Sequence, residues 1–525
     1  MLPILVFIIP CFLAIYLVHF VIRSLRSPLR TIPGPWLARF TDGWYFWNIR
    51  KGSFQNVNID LHKKHGMNSA SFVQKPRFAD AESLTGTIIR YGPNRYSFND
   101  LEAAKTIYGL GNHFPKSSWY STWASPGQWA IFSDQSIKRH SQNRKLYQAT
   151  YAMSSLVHYE PFVDECADIF TQRLSEMSSS ATTLPVDIRH WFQCYAFDVI
   201  GLITYAKRFG FLDRGDDVGG VISALDDHLG YATLCGIFPS LHQYLFAIRN
   251  YLAGGKGTGR AYVLSFTNER IRESQTAPKP VAMESEVTTE DFLTKFLAKH
   301  ASNPDVFTQY HVLMGCTSNM VAGSDTTAIS LSAVLYYLLK SPHCLTRLRD
   351  EINDFTERGD LSKLVTFKES QKMVYLQAVI KEALRMHPAT GLPLERVVPE
   401  GGATISGRFF PEGTIVGINS WVAHRDTRVF GEDANVFNPD RWLVEDSERI
   451  SIVNRYYMPF GLGSRTCIGR HVSMLEMSKL IPRIIRDFDF ELVPSLKQNN
   501  WHTHNYWFVK PVDFQVRVER RQPGK

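Results

Sequence analysis

One cysteine near the C-terminal end of the sequence has the surroundings of a metal ligand. It stands in the stretch PFGLGSRTCIGR, where Phe460, Gly463, Arg465, Cys467 and Gly469 fit the pattern F-x-x-G-x-R-x-C-x-G. The glycines allow the backbone to turn tightly and to approach a flat ligand closely. An apolar helical run follows at once, so free N–H groups and the helix dipole would favour a thiolate at Cys467. The alternative is a buried structural cysteine in a glycine turn.

At these residues the sequence resembles the haem-binding loop of the cytochrome P-450 family, whose cysteine is the axial ligand of haem iron. The resemblance implies the mainly α cytochrome P-450 fold with a small β part, and haem b as the cofactor. It also implies that Cys467 ligates iron. The motifs IPGPW, RMHPATGLPLERVVP and FNPDRWL are more narrowly similar to fungal members related to pisatin demethylase, which mostly serve secondary metabolism.

A long proline-free helix is predicted from Asp305 to Lys340, and its middle reads AGSDTT. Gly323 would leave room for O₂ beside the iron. Thr326 could donate its hydroxyl to a backbone carbonyl and open the helix locally. With the family's chemistry in place, Asp325 and Thr326 would form a proton route to oxygen. A glycine that only permits helix packing is the alternative.

Four side chains are expected to neutralise the haem propionates. His140 and Arg144 lie one turn apart on a predicted helix and share a face. Relatives often have Trp-x-x-x-Arg at this place, and His140 keeps a ring N–H donor. The resemblance adds Arg396, in LPLERV, and Arg465, in the cysteine loop. For His140 and Arg144 a solvated surface pair is the alternative.

A second group of charged residues is assigned a structural role. Glu382 and Arg385 are spaced to form a salt bridge on one helix face, which is weak evidence alone. FNPDRW places Arg441 near the third partner position of the family. The resemblance therefore implies a buried network of Glu382, Arg385 and Arg441 that holds the scaffold near the haem.

Aromatic residues in two separate stretches are candidates for substrate contact. The loop KSSWYSTWASPGQ contains Trp119, Tyr120 and Trp123, and its counterpart in relatives roofs the substrate cavity. The same resemblance points to Leu392, and to Trp507 and Phe508 in a predicted C-terminal hairpin, Asn505 to Pro511. Aromatic residues that merely pack on the body of the fold are the alternative.

Several further elements are expected to position these residues. A helix is predicted from Asn58 to Gly66, strands within Thr87 to Ser97 and within Gly401 to Ser420, and a helix capped by Thr289. Met67 to Gly86 has no counterpart in the family pattern and is interpreted as an inserted loop or as translated intron sequence.

The N-terminal segment is expected to be a membrane anchor. Met1 to Ile22 is apolar except for His19, and three arginines follow, which places the chain beyond them in the cytoplasm. The predicted organisation is an anchor over residues 1–30 and a catalytic domain over residues 31–525, on the endoplasmic reticulum membrane. A cleaved signal peptide and an interfacial helix are the alternatives.

Charge and cysteine content restrict the partners. The formal net charge is +8, and the seven cysteines show no paired spacing, which fits a reducing compartment. Because the basic residues form no run, nucleic acid is not an expected partner. A basic face with Lys138, Arg139 and Lys145 could receive an acidic NADPH-cytochrome P-450 reductase, and a cytochrome b-type protein is a second candidate donor.

The function expected from these features is a haem-thiolate monooxygenase that inserts one atom of O₂ into a lipophilic small molecule. Hydroxylation, epoxidation and demethylation are all open, and NADPH would act only through the reductase. A reductase-independent isomerase or dehydratase and a non-catalytic haem sensor or carrier are the alternatives. Consumption of NADPH with O₂ and reductase separates the three.

Overall fold

The computed structural model describes residues 28–66, 87–111, 113–179, 184–254, 257–276 and 290–521. Within these ranges the chain is mainly helical with a small β part, as predicted. The predicted anchor, the insertion Met67 to Gly86 and the predicted cap Thr289 lie outside the described residues. In the part of the chain that is described, no helix is both long and apolar enough to cross a membrane.

The α-helices are, in chain order, α1 Gly43–Arg50, α2 Phe54–Gly66, α3 Leu101–Tyr108, α4 Ile137–Gln148, α5 Met153–Leu156, α6 Glu160–Ser178, α7 Ile188–Tyr205, α8 Phe211–Arg214, α9 Val221–Cys235, α10 His242–Leu252, α11 Arg260–Thr276, α12 Phe292–Ser302, α13 Gln309–Lys340, α14 Pro342–Glu357, α15 Phe367–Lys372, α16 Val374–Met386, α17 Ser420–Ala423, α18 Thr427–Phe430, α19 Ser447–Tyr456, α20 Arg470–Asp487 and α21 Pro494–Gln498. Short 3₁₀ helices cover Leu37–Arg39, Ser118–Trp123, Val157–Tyr159, Val218–Gly220, Pro239–Leu241, Pro439–Trp442 and Gly463–Arg465.

The strands are β1 Thr87–Gly92, β2 Arg95–Asn99, β3 Val186–Asp187, β4 Arg396–Val397, β5 Ala403–Ile405, β6 Arg408–Phe410, β7 Ile415–Ile418, β8 Phe488–Leu492, β9 His502–Tyr506, β10 Phe508–Val512 and β11 Gln515–Arg520. They form four small sheets with the orders β1-β2-β7-β4, β10-β9, β3-β11-β8 and β5-β6. In the largest sheet β2 and β7 are parallel, with Tyr96 opposite Val416. The strands predicted within Thr87 to Ser97 and Gly401 to Ser420 are thereby confirmed.

The long helix α13 runs through the middle of the fold, packed against α7, α16 and α20. It begins at Gln309 rather than at Asp305, because a capping box between Thr308 and His311 fixes its start. Among the shorter elements, α2 begins at Phe54, before the predicted Asn58. The helix expected near Thr289 begins at Phe292, where the Asp291 carboxylate accepts from the Thr294 N–H at 2.7 Å.

The two largest hydrophobic clusters of the described chain join different sets of elements. The larger joins α6, α7, α13, α16 and α20, while a second lies around the main sheet. Leu29 and Ile32 are buried in the second cluster, so the described chain packs against the body from its first residues.

The β9–β10 hairpin is anchored deep in the fold by a glycine. The Gly391 N–H donates to the Trp507 carbonyl at 2.9 Å, and a Cβ at Gly391 would lie 2.4 Å from the Asn505 side chain. Any larger residue at Gly391 would therefore displace the hairpin. Trp507 stands at the tight turn with φ of 75°, a conformation that a bulky residue adopts only where its surroundings hold it there.

Candidate active site

The cysteine loop is closed by one hydrogen bond and by close contact with α3. The Cys467 N–H donates to the Phe460 carbonyl at 2.8 Å. Gly463 has φ of 64°, and a Cβ there would lie 1.8 Å from the Tyr108 carbonyl oxygen, so only glycine fits. A Cβ at Gly469, by contrast, would meet no atom within 4 Å, which leaves space beside Cys467 for a flat ligand.

The Cys467 thiol lies deep in the loop but is exposed to a cavity. Burial raises its pKa above the ordinary value, and this effect exceeds the opposing hydrogen bond from the Gly469 N–H and the charge of Arg144. The hydrogen bond from the loop and the nearby cations favour the thiolate, as expected, but in the absence of a metal ion they do not offset desolvation. A coordinated metal ion deprotonates a thiol outright, so the site remains suited to a metal.

The cavity has a volume of about 700 Å³, and the residues predicted to bind the iron and the propionates line it. His140, Arg144, Arg396 and Arg465 line it together with Cys467. No carboxylate side chain stands among its described lining residues. The surface-pair alternative for His140 and Arg144 is thereby wrong, since both face the cavity.

The guanidinium groups at the cavity are bound by backbone carbonyls rather than by acids. Arg465 donates to the Asp134 carbonyl at 2.8 Å, while its buried Nη2 has no partner. Arg396 donates to the Glu395 carbonyl at 2.9 Å. Burial, followed by the charge of Arg396, lowers the pKa of Arg465 to about 10. Buried cations without a counter-charge are expected where an anionic ligand binds, so these residues fit a haem with its propionates.

Two further details concern the donors around the cavity. Burial lowers the pKa of His140 to about 3, so its ring is neutral and retains one N–H donor, as expected.

Lys116 was missed by sequence reasoning: its ammonium donates to the Phe132 carbonyl and lies 4.3 Å from the centre of the Tyr120 ring. Burial and the charges of Arg396 and Arg465 lower its pKa well below the ordinary value. Its position at the start of the aromatic loop is the signal that could have identified it.

The oxygen-handling motif of α13 agrees with the prediction in part. The Thr326 hydroxyl donates to the Ala322 carbonyl at 2.7 Å, but α13 stays regular there, so the predicted local opening is absent. The expected role of Gly323 is also wrong. A Cβ at Gly323 would contact Ile200 of α7 at 3.0 Å, so this glycine serves helix packing, which was the alternative.

Asp325 is buried and held by two partners. Its carboxylate accepts from the Gln193 amide at 2.5 Å and lies 2.7 Å from the Lys510 ammonium. Lys510 also pairs with Asp226, whose side chain is 54% exposed. Burial raises the pKa of Asp325, and Lys510 opposes that shift. The proton-delivery role of Asp325 stays a prediction, and a route through it would begin at this ion pair.

The Glu382 network has the predicted geometry. Arg385 Nη2 and Arg441 Nε lie 2.8 and 2.9 Å from Glu382 Oε1, and the Trp442 indole donates to the other carboxylate oxygen at 3.0 Å. All three charged residues are buried. The predicted salt bridge and its third partner are therefore present, and their role in holding the scaffold near the haem stays a prediction.

The six candidate substrate residues come together in one hydrophobic cluster with Ile329 of α13: Trp119, Tyr120, Trp123, Leu392, Trp507 and Phe508. The Trp507 ring centre lies 5.0 Å from that of Trp119 and 5.9 Å from that of Trp123. Two stretches remote in sequence thus form one aromatic roof. Substrate contact by this cluster, which we call the aromatic roof, stays a prediction.

A cavity that exposes one thiol and several buried cations to a flat space fits an anionic metal macrocycle, which defines the class of haem-thiolate proteins. Comparison with known proteins agrees. Residues 90–517 match the family model described as Cytochrome P450. This chain belongs to the cytochrome P450 family, so it is a haem-dependent oxidoreductase that incorporates oxygen, and the usual electron source of the family is NADPH through a reductase.

Several curated fungal proteins are similar along nearly the whole chain. Pisatin demethylase of Fusarium vanettenii is 37% identical over 98% of this chain and 93% of its own length. A cytochrome P450 monooxygenase of Aspergillus terreus is 35% identical over 93% of this chain and 94% of its own. Cytochrome P450 monooxygenase cicH of Emericella nidulans is 33% identical over 97% of each.

Proposed function

We propose that this protein is a monooxygenase of fungal secondary metabolism that oxidises a lipophilic small molecule by hydroxylation, epoxidation or demethylation. Its similarity to pisatin demethylase and to fungal P450 monooxygenases supports this. The observation that carries the proposal is the contact between the Thr327 and Ser473 hydroxyl oxygens at 2.9 Å. That contact holds the Thr326 segment of α13 against α20, the helix that begins at the Cys467 loop.

In this proposal Cys467 ligates the iron, while His140, Arg144, Arg396 and Arg465 bind the propionates. Bound haem supplies the activation of O₂ and the transfer of one oxygen atom to the substrate. The Thr326 hydroxyl donates its own proton to the Ala322 carbonyl, which leaves its oxygen free to accept a hydrogen bond. Thr326 can therefore hold a separate proton donor at the middle of α13. Asp325 supplies protons to Thr326 from the Lys510 side.

The aromatic roof orients the substrate and excludes water. Its rings belong to a loop and to a hairpin that are anchored independently, by the Trp119 indole on the Thr233 carbonyl at 3.2 Å and by Gly391 on Trp507 at 2.9 Å. A flat lipophilic molecule that enters between the loop and the hairpin replaces contacts among the roof rings with contacts between those rings and itself. The cost of opening the roof is therefore small.

We further infer attachment to the endoplasmic reticulum membrane through residues 1–30, with the catalytic domain in the cytoplasm. The exposed residues Lys138, Arg139 and Lys145 on α4 would receive NADPH-cytochrome P-450 reductase, with a cytochrome b-type protein as a second donor. Removing residues 1–27, which leaves the buried Leu29 in place, should release the protein from carbonate-washed membranes with its haem content unchanged. Carbonate-resistant binding of the truncated form would contradict this assignment.

The test of function uses the full chain with haem, reductase, NADPH and a lipophilic extract of fungal metabolites. We expect extract-dependent NADPH and O₂ consumption with formation of an oxygenated product. Cys467→Ser should abolish both this activity and the red-shifted Soret band of the reduced CO complex, whereas Cys235→Ser, a control at a buried cysteine elsewhere, should retain them. Rearrangement of a peroxide without reductase, or haem binding without turnover of any extract component, would contradict the proposal.

A further inference from the structure

A small polar pocket lies behind the aromatic roof, between α9, α10 and α11. It has a volume of about 10 Å³, and Thr122, His228 and Arg260 are among its lining residues. Arg260 is only 6% exposed and His228 only 2% exposed. A space of this size holds one oxygen-sized atom. The pocket therefore presents buried polar groups to a very small ligand group.

The charges that face this pocket do not balance. Asp227 also lines it, but its carboxylate lies 2.5 Å from Arg249 and accepts from the Thr258 hydroxyl at 2.7 Å. Arg260 forms no ion pair with any described residue; its Nη2 contacts the Met314 sulfur of α13 at 3.7 Å. Two guanidinium groups thus face one carboxylate, and one positive charge is left uncompensated.

Three buried nitrogen atoms at this place also lack hydrogen-bond partners: Arg260 Nε, His228 Nε2 and Trp123 Nε1. The His228 and Trp123 rings lie 5.6 Å apart between their centres. Burial lowers the pKa of His228 to about 3, so its ring is neutral. Burial lowers the pKa of Arg260 only to about 10, so the guanidinium remains charged at neutral pH. Unpartnered buried donors beside a cation are costly unless a ligand supplies acceptors.

The pocket adjoins the aromatic roof, because the His228 ring of the pocket lies 5.6 Å from the Trp123 ring of the roof. Thr122 lines the pocket, while the neighbouring Trp123 belongs to the roof. The Thr122 hydroxyl donates to the Trp119 and Ala232 carbonyls at 2.9 and 2.8 Å, which fixes the loop between the two spaces. A molecule whose apolar part lies against Trp123 can therefore place an acidic group toward Arg260.

We propose that Arg260, together with His228, binds the carboxylate of an acidic aromatic substrate whose ring lies in the aromatic roof. This inference rests on the proposed function and narrows its substrate class. A guanidinium group donates a charge-assisted hydrogen bond to a carboxylate oxygen, and the small pocket has room for one such oxygen. Arg260 is a positioning residue here: it fixes the orientation of the ring and so the carbon presented to the oxidising centre.

The experiment compares benzoate with benzamide, which differ in charge but hardly in shape, by calorimetric titration of the full haem-loaded chain. We expect the wild type to bind benzoate at least about tenfold more tightly, as for a charge-assisted hydrogen bond. Arg260→Met should abolish this preference and leave benzamide binding unchanged. The control Arg272→Met removes the same charge from an exposed position of the same helix and should keep the preference.

Removing an uncompensated buried cation should not destabilise the fold; should Arg260→Met nevertheless fail to fold, Arg260→Lys and His228→Phe replace it, and each should reduce the preference. Equal affinity of the wild type for both probes, binding of neither, or a preference that survives these variants would overturn the proposal and indicate a pocket for a structural water. The titration needs no NADPH or reductase. Benzoate selectivity without any monooxygenation would therefore contradict the proposed function alone.

Discussion

Two clusters of buried or half-buried arginines in this molecule satisfy their charges in opposite ways. Around Glu382, the guanidinium groups of Arg385 and Arg441 share one buried carboxylate, and Arg441 also pairs with Asp433 at 2.9 Å, so two cations meet two anions. At the cysteine cavity, Arg396 and Arg465 donate to backbone carbonyls and form no ion pair with a described residue, and burial together with mutual repulsion lowers the pKa of Arg465. Both clusters lie in the interior, so burial alone does not explain the difference.

The contrast separates a structural role from a binding role. A buried network that balances its own charge stabilises the fold whether or not a ligand is bound. A cluster that leaves cations unbalanced costs free energy in the empty protein, and that cost is recovered only when an anion binds. Variants of the two clusters should therefore behave oppositely in the presence and absence of haem.

The largest effect is expected from Glu382→Gln. The substitution leaves Arg385 buried without its carboxylate partner and Arg441 with Asp433 alone, so the free energy of unfolding should fall by about 3–5 kcal/mol in both the haem-free and the haem-bound protein. Denaturant titration of both forms measures this, with Glu445→Gln at an exposed site as the control. A loss below about 1 kcal/mol would place Glu382 outside the scaffold.

Arg465→Met should act with opposite signs in the two forms. In the haem-free protein the unfolding free energy should stay level or rise, because one uncompensated cation is removed. Haem affinity should fall by about tenfold or more, because a propionate loses a charged donor. Haem transfer to an acceptor protein and thermal unfolding of both forms measure the two effects, with exposed Arg455→Met as the control. Equal destabilisation of the haem-free and haem-bound forms would show that Arg465 has a structural role, as Arg385 and Arg441 do.

Lys510→Met tests the Asp325–Lys510 ion pair, a single buried pair that belongs to neither cluster. Burial raises the pKa of Asp325 and Lys510 opposes this, so the variant should raise that pKa further. A carboxyl group whose pKa is higher in the folded than in the unfolded state loses stabilisation as the pH rises between the two values. The variant should therefore become less stable than the wild type from acid towards neutral pH. Thermal unfolding against pH measures this.

The double variant Lys510→Met/Asp325→Asn is the matched control, since it removes both charges. It should recover most of the stability lost at neutral pH. Identical pH profiles for wild type and Lys510→Met would show that the ion pair does not set the ionisation of Asp325.

The smallest effect on stability is expected where cations are exposed at the surface. Lys138→Glu with Lys145→Glu should change the unfolding free energy by no more than about 0.5 kcal/mol, because both side chains are exposed. Reduction by the reductase should nevertheless slow several-fold at low salt and converge with the wild-type rate at high salt. A rate of reduction equal to that of the wild type at every salt concentration would show that the reductase does not dock on this face.

What the sequence predicted best were residues fixed by short-range rules. The cysteine loop, the Glu382–Arg385 spacing and the hydroxyl bond of Thr326 follow from motif and helix periodicity, and the resemblance supplied their partners. Lys116 and Arg260 were missed because their significance is the absence of a counter-charge, which only the packed structure reveals. Gly323 was misinterpreted because a motif does not say which neighbouring helix its missing side chain would meet.

The anchoring of Trp507 on Gly391 has a consequence for the order in which the protein is made. Cys467 and the helix after it leave the ribosome before the hairpin that carries Trp507. The aromatic roof is then still missing its last ring, since that ring comes from the hairpin. Synthesis therefore passes through a stage in which the cofactor loop is complete while the aromatic roof is not, and haem can reach the loop before the C-terminal strands pair.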